Sequence, residues 1–358
     1  NAMSVEINHK TNPKECCTVQ KKKVIAYVST KDLPMMQEND IKMLDVINLA
    51  FGHIQNDAVV YEPGEYAEYF AKIKSVNPEC AIVLSVGGWS AGGFSEAAST
   101  KTGRETVAKT SLELIKKYNL DGLDLDWEYP CIGIAGIASS PEDKENFTLL
   151  LKEIRELFNT YTEKKLLLTI AAGGDSYYTR CTNMKEVQEY LDYVQLMTYD
   201  LRGGFVTHAG HHTNLYTKDA DLLPVSTDFA VKCFHEAGVP KEKLVIGVAF
   251  YSRMWKNVPD VDHGYMQMAG TTGGYGPSYG DLKENYINKN GYVRYWDDEA
   301  KAPWLFNGET FLSYDDEQSI AEKAAYVNRE GLLGAMYWEY GLDTTFTLTG
   351  CLRRALDQ

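Results

Sequence analysis

The sequence lacks the cysteine arrangement of a small disulfide-stabilised or zinc-binding protein. Its seven cysteines are odd in number, scattered along the chain, and include the adjacent Cys16 and Cys17. No two of them stand at a Cys-x-x-Cys spacing, which is typical of structural zinc sites and redox motifs. We therefore expect neither a disulfide framework nor a zinc site, and mostly reduced thiols.

The chain also lacks an excess of positive charge. It carries 36 lysine and arginine residues against 50 acidic residues, a formal net charge of −14. Nucleic acids and anionic membranes bind proteins through basic patches. The composition therefore predicts no nucleic-acid partner and no membrane partner, and it suits a neutral substrate. We further expect a monomer.

The N-terminal residues lack the apolar segment of a signal peptide. Residues 1–22 are polar and run into three lysines, and Asn1-Ala2 ahead of Met3 is typical of a scar left by tag removal. We expect a flexible tail at 1–22. The protein would be cytoplasmic if Met3 is the native start, and otherwise secreted.

Eight short apolar runs alternate with helical patterns. Ser140 and Pro141 are expected to start one helix as N-cap and first residue, and Ser226 and Gly238 to bracket another. Eight buried strands separated by helices predict an α/β fold, a (β/α)8 TIM barrel, which suits 358 residues. The runs are 24–28, 46–51, 81–86, 122–127, 166–172, 193–198, 244–250 and 333–338.

This repeat is interrupted between the seventh and eighth strands by more residues than a helix and two loops need. The interruption contains glycine-rich turns at 273–277 and the dipeptide Asn307-Gly308 between two apolar runs, a strong hairpin signal. We predict a small α+β insertion at 255–314, followed by a helix near 316–330. The barrel would comprise 23–254 and 315–358.

The fourth run carries acids in strict alternation with apolar residues. Asp124, Asp126 and Glu128 share one face of the predicted strand, while Leu125 and Trp127 share the other. An amphipathic edge strand with its acids in water is the ordinary interpretation of such a pattern. Inside an α/β sheet, however, both faces are covered. The acids would then face the mouth of the barrel, where such folds place active sites.

Several motifs together resemble glycoside hydrolase family 18, the chitinases. Asp-x-x-Asp-x-Asp-x-Glu at 121–128, followed by Tyr-Pro, is similar to the catalytic signature of that family. Residues 85–88 (Ser-Val-Gly-Gly), 197–200 (Met-Thr-Tyr-Asp) and 338–339 (Trp-Glu) resemble family motifs at other strand ends. The resemblance covers the chain from about residue 23, and the insertion is similar to one wall of the groove in deep-cleft chitinases.

The resemblance implies a role for each catalytic candidate. Glu128 would be the general acid and then the general base, and Asp126 would orient the substrate's acetamide. Asp124 would share a proton with Asp126, and Tyr199 would donate a hydrogen bond to the acetamide. In this family the N-acetyl oxygen of the substrate attacks C1, an exception to the two-carboxylate scheme. The residues expected to bind the sugar chain are Trp338, Asp200, Met197, Tyr251, Arg253, Trp89, Tyr27 and Phe51, with Trp255 as a further groove aromatic.

Three alternatives remain at this stage. The chain could be a non-catalytic chitin-binding lectin of the same fold, although the presence of Glu128 and Asp126 counts against it. It could be an endo-β-N-acetylglucosaminidase acting on glycoproteins, or a hydrolase of peptidoglycan fragments. Cleavage of chitin or N-acetylglucosamine oligosaccharides is the leading prediction, because the insertion favours a deep groove.

No cofactor is implied, although one histidine cluster could suggest a metal. His208, His211 and His212 lie together after the sixth strand, but no carboxylate stands at a motif spacing. We expect a loop packed by hydrogen-bonded histidines. The end of the first strand, Ser29-Thr30, lacks an aromatic residue, which predicts weak distant minus subsites.

Overall fold

The computed structural model describes residues 21–358. The predicted tag scar, Cys16, Cys17 and the expected tail up to residue 20 lie outside the described residues. Within residues 21–358, no helix is both long enough and apolar enough to cross a membrane.

Eight parallel strands close into a barrel, as the apolar runs predicted. The first strand pairs with both the second and the last, which closes the sheet. The predicted (β/α)8 barrel is confirmed. Its strands are β1 (Lys23–Ser29), β2 (Val46–Gln55), β4 (Ala81–Gly87), β5 (Gly122–Asp126), β6 (Leu167–Gly173), β7 (Tyr193–Met197), β8 (Leu244–Ala249) and β14 (Gly334–Trp338), and a short strand β3 (Ala58–Val60) pairs with the end of β2.

Helices cover the outside of the barrel. The Ser226 side chain caps the helix that follows it, as predicted, by accepting a hydrogen bond from the Phe229 amide. The predicted start at Ser140 and Pro141 is wrong, because the Asp143 amide bonds to the Ser140 carbonyl in a tight turn and the helix begins at Asp143 itself. The helices are α1 (Glu38–Met43), α2 (Glu68–Val76), α3 (Phe94–Ala98), α4 (Lys101–Tyr118), α5 (Asp143–Asn159), α6 (Ser176–Arg180), α7 (Met184–Tyr190), α8 (Thr227–Glu236), α9 (Tyr279–Asp281), α10 (Glu317–Glu330) and α11 (Leu348–Leu356).

Strand β5 alternates as its sequence predicted. Leu123 and Leu125 pack outward into the core between strands and helices. Trp127 lies fully buried between the rings of Phe94 and Phe147, at 5.4 Å from each ring centroid. Because consecutive side chains of a strand point to opposite faces, this outward anchoring turns the intervening acids toward the barrel interior.

A second sheet follows β8 almost at once. Its first strand begins at Tyr251, four residues before the predicted start of the insertion. Gly276, expected in a turn, lies in edge strand β10, where an added Cβ would approach the Ser252 hydroxyl to 2.4 Å. Asn307-Gly308 connects two antiparallel strands, as expected. The strands are β9 (Tyr251–Trp255), β10 (Gly274–Ser278), β11 (Val293–Asp297), β12 (Ala302–Phe306) and β13 (Phe311–Ser313).

Candidate active site

The predicted site residues gather at the carboxyl ends of the barrel strands. Asp126 ends β5, and Glu128 follows it. Tyr199 and Asp200 follow β7, and Trp338 ends β14. This is the edge at which barrels of this architecture place their chemistry.

Asp124 lies at the bottom of the site, fully buried with four hydrogen-bond donors. Its two oxygens accept bonds from Ser85 and Tyr27 on one side and from Thr169 and Gln195 on the other, at 2.7–2.9 Å. Ser85 and Thr169 stand directly opposite Asp124 in the neighbouring strands, so the strand register itself supplies these two hydroxyls. Burial raises the pKa of Asp124, although all four donors act to lower it.

Asp126 and Glu128 form a coupled pair above Asp124. Burial raises the pKa of Asp126 well above its ordinary value, and the charges of Glu128 and Asp124 raise it further. Burial likewise raises the pKa of Glu128 to about 7, while hydrogen bonds from Tyr129 and Asp126 lower it and the charge of Asp200 raises it. Two adjacent carboxylates in a low dielectric cannot easily both ionise, so one proton is shared between them near neutral pH.

One oxygen of this pair is unsatisfied by the protein. Asp126 Oδ1 is buried and has no hydrogen-bond partner within residues 21–358. A buried polar oxygen left without a partner costs free energy. Asp126 therefore has one acceptor position to offer a donor group of a ligand.

Tyr199 brings a phenol to the same interior space. Its ring is nearly buried, its hydroxyl makes a 3.7 Å contact with the Met336 sulfur, and its edge packs against Tyr251. Burial raises the pKa of Tyr199 well above its ordinary value, and the charges of Asp126, Asp200 and Glu128 raise it further. Tyr199 is therefore a neutral hydrogen-bond donor. The neighbouring Met197 is half-buried and packs against the same interior cluster.

Trp338 forms an aromatic floor beside the acids. Its ring stacks on Phe51 with a centroid separation of 5.5 Å and an interplanar angle of 13°, and it tilts against Tyr27 at 5.7 Å. Tyr27, predicted to bind substrate, is only 1% exposed and donates its hydroxyl to Asp124. Its geometry suits holding Asp124 in place rather than touching a sugar.

Asp200 is fixed from three directions. Its carboxylate accepts hydrogen bonds from Tyr251 at 2.8 Å and from Arg253 at 2.7 Å, and its amide donates to His212 Nδ1 at 3.0 Å. Arg253 also lies 3.9 Å from the centroid of the Tyr275 ring. These contacts bring together the end of β7 and the first strands of the second sheet, so the insertion shapes the site.

Two exposed aromatic rings were missed in the sequence analysis. Phe205 is 72% exposed and lies 6.5 Å from Trp89, which is itself 50% exposed and packs against Tyr129. Tyr275 is 67% exposed above Arg253. Because these rings neighbour Glu128 through Tyr129 and Asp200 through Arg253, they extend the site outward with exposed apolar rings that are tilted relative to one another. One isolated aromatic residue in a loop and one in a short edge strand gave no sequence signal for this.

Trp255 is not a groove residue, contrary to the prediction. It is fully buried in the core of the second sheet, and its indole donates to the Val206 carbonyl at 2.9 Å. Trp255 and Met254 point to opposite faces of β9, and Trp255 faces the aromatic core of the second sheet. The sequence pattern did not show which face of this strand would be buried.

The histidine cluster lies in the loop that follows β7 and is held by contacts within that loop and to the second sheet. His211 Nε2 lies 3.0 Å from the Asp297 carboxylate, His212 accepts the Asp200 amide, and His208 contacts Arg202. Burial lowers the pKa of His212 to about 4, so it is neutral at physiological pH. The expectation of a loop packed by hydrogen-bonded histidines fits these contacts.

The end of β1 is closed by a polar contact. The Glu339 carboxylate accepts hydrogen bonds from the Ser29 hydroxyl at 2.6 Å and from its amide at 3.1 Å. Glu339 directly follows the floor residue Trp338, and burial raises its pKa. The side of the site beyond Trp338 is therefore lined here by a carboxylate and a hydroxyl rather than by an aromatic ring.

Comparison with protein families gives one match that covers most of the chain. The family model described as glycosyl hydrolases family 18 matches residues 23–343. The chain is 40% identical to Chitinase A1 of Niallia circulans over 305 residues, which is 80% of this chain and 44% of that protein. It is 29% identical to Chitotriosidase-1 of Mus musculus over 80% of this chain and 62% of that protein. The chain thus spans about half the length of these relatives.

Solved structures give a similar result. A glycoside hydrolase family 18 N-acetylglucosaminidase from Paenibacillus barengoltzii is 54% identical with a TM-score of 0.92, and the match covers 94% of this chain and 100% of that one. A chitinase from Bacillus thuringiensis is 30% identical with a TM-score of 0.87, over 94% of this chain and 70% of that one.

Proposed function

Because this chain belongs to family 18 of the glycosyl hydrolases and is a glycosidase, we propose that it cleaves β-1,4 linkages between N-acetylglucosamine units of chitin or chitooligosaccharides. The observation that carries the proposal is the buried, proton-sharing pair of Asp126 and Glu128 at the barrel mouth. Trp338, at the end of β14, provides an aromatic floor at the same mouth.

Glu128 is the proposed general acid. A glycosidic oxygen must receive a proton as its bond to C1 breaks, and an acid with a pKa near the working pH does this best. The pKa of about 7 that burial gives Glu128 keeps it protonated in mildly acidic and neutral solution. After the leaving group departs, the Glu128 carboxylate takes a proton from the attacking water.

The proposed nucleophile is the acetamide oxygen of the substrate. Asp126 stands on the same strand end as Glu128 and shares a hydrogen bond with it, so the two carboxylates cannot flank a glycosidic bond from opposite faces. The free acceptor of Asp126 instead suits the acetamide N–H, and the Tyr199 hydroxyl suits its carbonyl oxygen. Attack of that oxygen on C1 forms an oxazolinium ion, whose opening by water retains the β configuration.

The sugar chain is proposed to lie along the aromatic residues. Trp338, backed by Phe51, would stack under the sugar whose C1 reacts. Trp89 and Phe205 would stack under the leaving sugars, and the fixed carboxylate of Asp200, with Tyr251, Arg253 and Met197 around it, would bind polar groups on that side.

A second candidate is the release of single N-acetylglucosamine units from the non-reducing end. Two observations favour it. The Paenibacillus barengoltzii protein matched over its full length is described as an N-acetylglucosaminidase. In addition, the end of β1 offers the polar Ser29–Glu339 contact, and no aromatic ring, on which sugars beyond Trp338 would stack. A chain end could then bind with one sugar over Trp338 and little beyond it.

The test is a time course with a chitin hexamer and, in parallel, its fully deacetylated counterpart, following product lengths and anomers from the first minutes. Cleavage of the acetylated chain only, with the β-anomer first, is expected. Dimers and trimers as first products support chitinase action, and monomers alone support the second candidate.

Glu128→Gln should abolish turnover and keep binding, with Glu156→Gln on the exposed face of α5 as the matched control. An active Glu128→Gln enzyme would overturn the assignment.

A further inference from the structure

Two thiols from separate segments meet directly beside the catalytic strand. Cys131 follows β5 by five residues, and Cys181 caps the end of α6. Cys131 Sγ lies 3.6 Å from the carbonyl oxygen of Cys181 and 3.7 Å from that of Pro141, and burial together with the neighbouring Cys181 thiol raises the pKa of Cys131. Both side chains are partly exposed to solvent.

Hydrogen bonds on both sides hold the two cysteines in this position. The buried Asp143 carboxylate accepts the Cys131 amide at 3.0 Å and the Ser95 hydroxyl at 2.6 Å, which fixes the loop that carries Cys131. The segment that carries Cys181 is bound to the start of α5, because the Lys144 ammonium donates a hydrogen bond of 3.0 Å to the Arg180 carbonyl. Asn183 adds a bond of 2.9 Å to Glu145.

The other cysteines of residues 21–358 have different surroundings. Cys80 is fully buried near Lys74 and two aspartates, Cys233 lies near two carboxylates, and Cys351 lies near two carboxylates and Arg354. Among the described residues, Cys131 and Cys181 are therefore the pair in which one thiol changes the pKa of the other. Mostly reduced thiols were expected from the sequence, in which these two cysteines stand 50 positions apart.

We propose that Cys131 and Cys181 form an intramolecular disulfide that fastens the catalytic loop to the end of α6. Each thiol loses its proton, one S–S bond forms, and the two electrons reduce a small disulfide oxidant such as oxidised glutathione to two thiols. One cysteine thiolate first attacks the oxidant, forming a mixed disulfide and releasing one glutathione thiolate; the second cysteine then attacks the protein sulfur of that mixed disulfide and releases the second glutathione thiolate. A dithiol reverses the reaction.

The bond would restrain the loop that positions Tyr129. Tyr129 lies two residues before Cys131 and donates a hydrogen bond to Glu128. A cross-link closing a loop of this length removes much of the entropy of the unfolded chain. The oxidised enzyme should therefore retain its fold, and the position of Tyr129, to higher temperature than the reduced enzyme.

Burial and the neighbouring thiol raise the pKa of Cys131 to about 11, so oxidation should become faster as pH rises from 7 to 9.

The experiment treats the full chain with oxidised glutathione, blocks the remaining thiols by alkylation, and maps protease fragments by mass spectrometry. A fragment linking Cys131 to Cys181 is expected, together with a Tm about 5 °C higher that a dithiol reverses. Because Cys16 and Cys17 can also oxidise, the linked fragment rather than the total thiol count makes the assignment.

Variants separate the bond from general effects of oxidation. Cys131→Ser and Cys181→Ser should each abolish the Tm rise, whereas Cys233→Ser should keep it. If glutathione caps each thiol separately, or if both thiols remain alkylatable after oxidation at pH 9, the proposal is wrong. The mapping uses the unchanged protein, so the result stands even if a variant folds poorly.

Discussion

Glu128 is the residue on which the proposed chemistry depends most directly. Its raised pKa of about 7 means that the protonated, catalytically competent form is lost as pH rises through neutrality. We expect kcat/KM on a chromogenic chitooligosaccharide to fall about tenfold per pH unit on the alkaline side, with a midpoint near 7. The measurement is a pH profile from 4 to 10.

Two neighbours should move this alkaline limb in opposite directions. The charge of Asp200 raises the pKa of Glu128, whereas the hydrogen bond from Tyr129 lowers it. Asp200→Asn should therefore shift the limb to lower pH, and Tyr129→Phe should shift it to higher pH, whatever either change does to KM. Shifts of the same sign, or none, would contradict the assignment of Glu128 as the titrating acid.

Phe205 should act on long substrates only. Its ring is largely exposed next to Trp89, and stacking of a sugar on an aromatic face contributes about 1 kcal/mol. Phe205→Ala should lower kcat/KM for a hexamer roughly threefold to tenfold and leave a dimer-based chromogenic substrate unchanged. Tyr161→Ala, which precedes β6 and so lies at the opposite end of the barrel, serves as control. Equal losses on both substrates would argue against a stacking role.

Among the elements around the site, one buried ion pair ties the segment that follows the second sheet to the barrel. Lys323 of α10 is fully buried and lies 2.8 Å from Asp315, whose carboxylate also accepts the Ala249 amide at the end of β8. Thr213, in the loop that carries the histidines, bonds both partners. Three segments around the site thus share one charge pair.

Removing one partner should be far more harmful than removing both. Lys323→Ala leaves the Asp315 charge buried and unpaired, and we expect the free energy of unfolding to fall by about 3–5 kcal/mol in urea titration. The double variant Lys323→Met with Asp315→Asn should recover much of that loss, because no unpaired charge remains. If the single and double variants were equally destabilised, simple loss of packing would explain the effect.

The barrel elements were predictable because each depends on a local pattern. The eight apolar runs correspond to the eight barrel strands, and the alternation around Trp127 predicted which face of β5 carries the acids. The helix start was predicted two residues too early, because Ser140 begins a turn, closed by the Asp143 amide on the Ser140 carbonyl, that the sequence does not distinguish from the first turn of a helix.

The parts of the site that escaped prediction depend on contacts between distant segments. Tyr27 reaches Asp124 across the barrel, and Trp255 finds its partner Val206 in another loop. Phe205 becomes part of an aromatic surface only because Trp89 lies next to it. A sequence shows residue type and local period, but it does not show which loop covers a given side chain.

At the scale of the whole molecule, the site opposes stability. The protein carries a net charge of −14, and three of its acids point into the barrel, where burial raises the pKa of each. A carboxyl whose pKa is higher in the folded than in the unfolded chain binds more protons when folded. Stability is therefore greatest below the ordinary pKa, falls as pH rises through the interval between the two values, and stays lower above it.

Glu128→Gln should consequently stabilise the fold while it abolishes activity. The rise of its pKa from 4.5 to about 7, at 1.36 kcal/mol per unit, corresponds to roughly 3 kcal/mol at pH 8 and almost nothing at pH 4. Thermal unfolding at both pH values measures this difference, with Glu156→Gln on the surface of α5 expected to change neither Tm. The cost of burying a charge exists at pH 8, where the wild-type carboxyl is ionised, and is absent at pH 4, where it is protonated. A Tm gain of the same size at both pH values would therefore point to better packing by the amide instead.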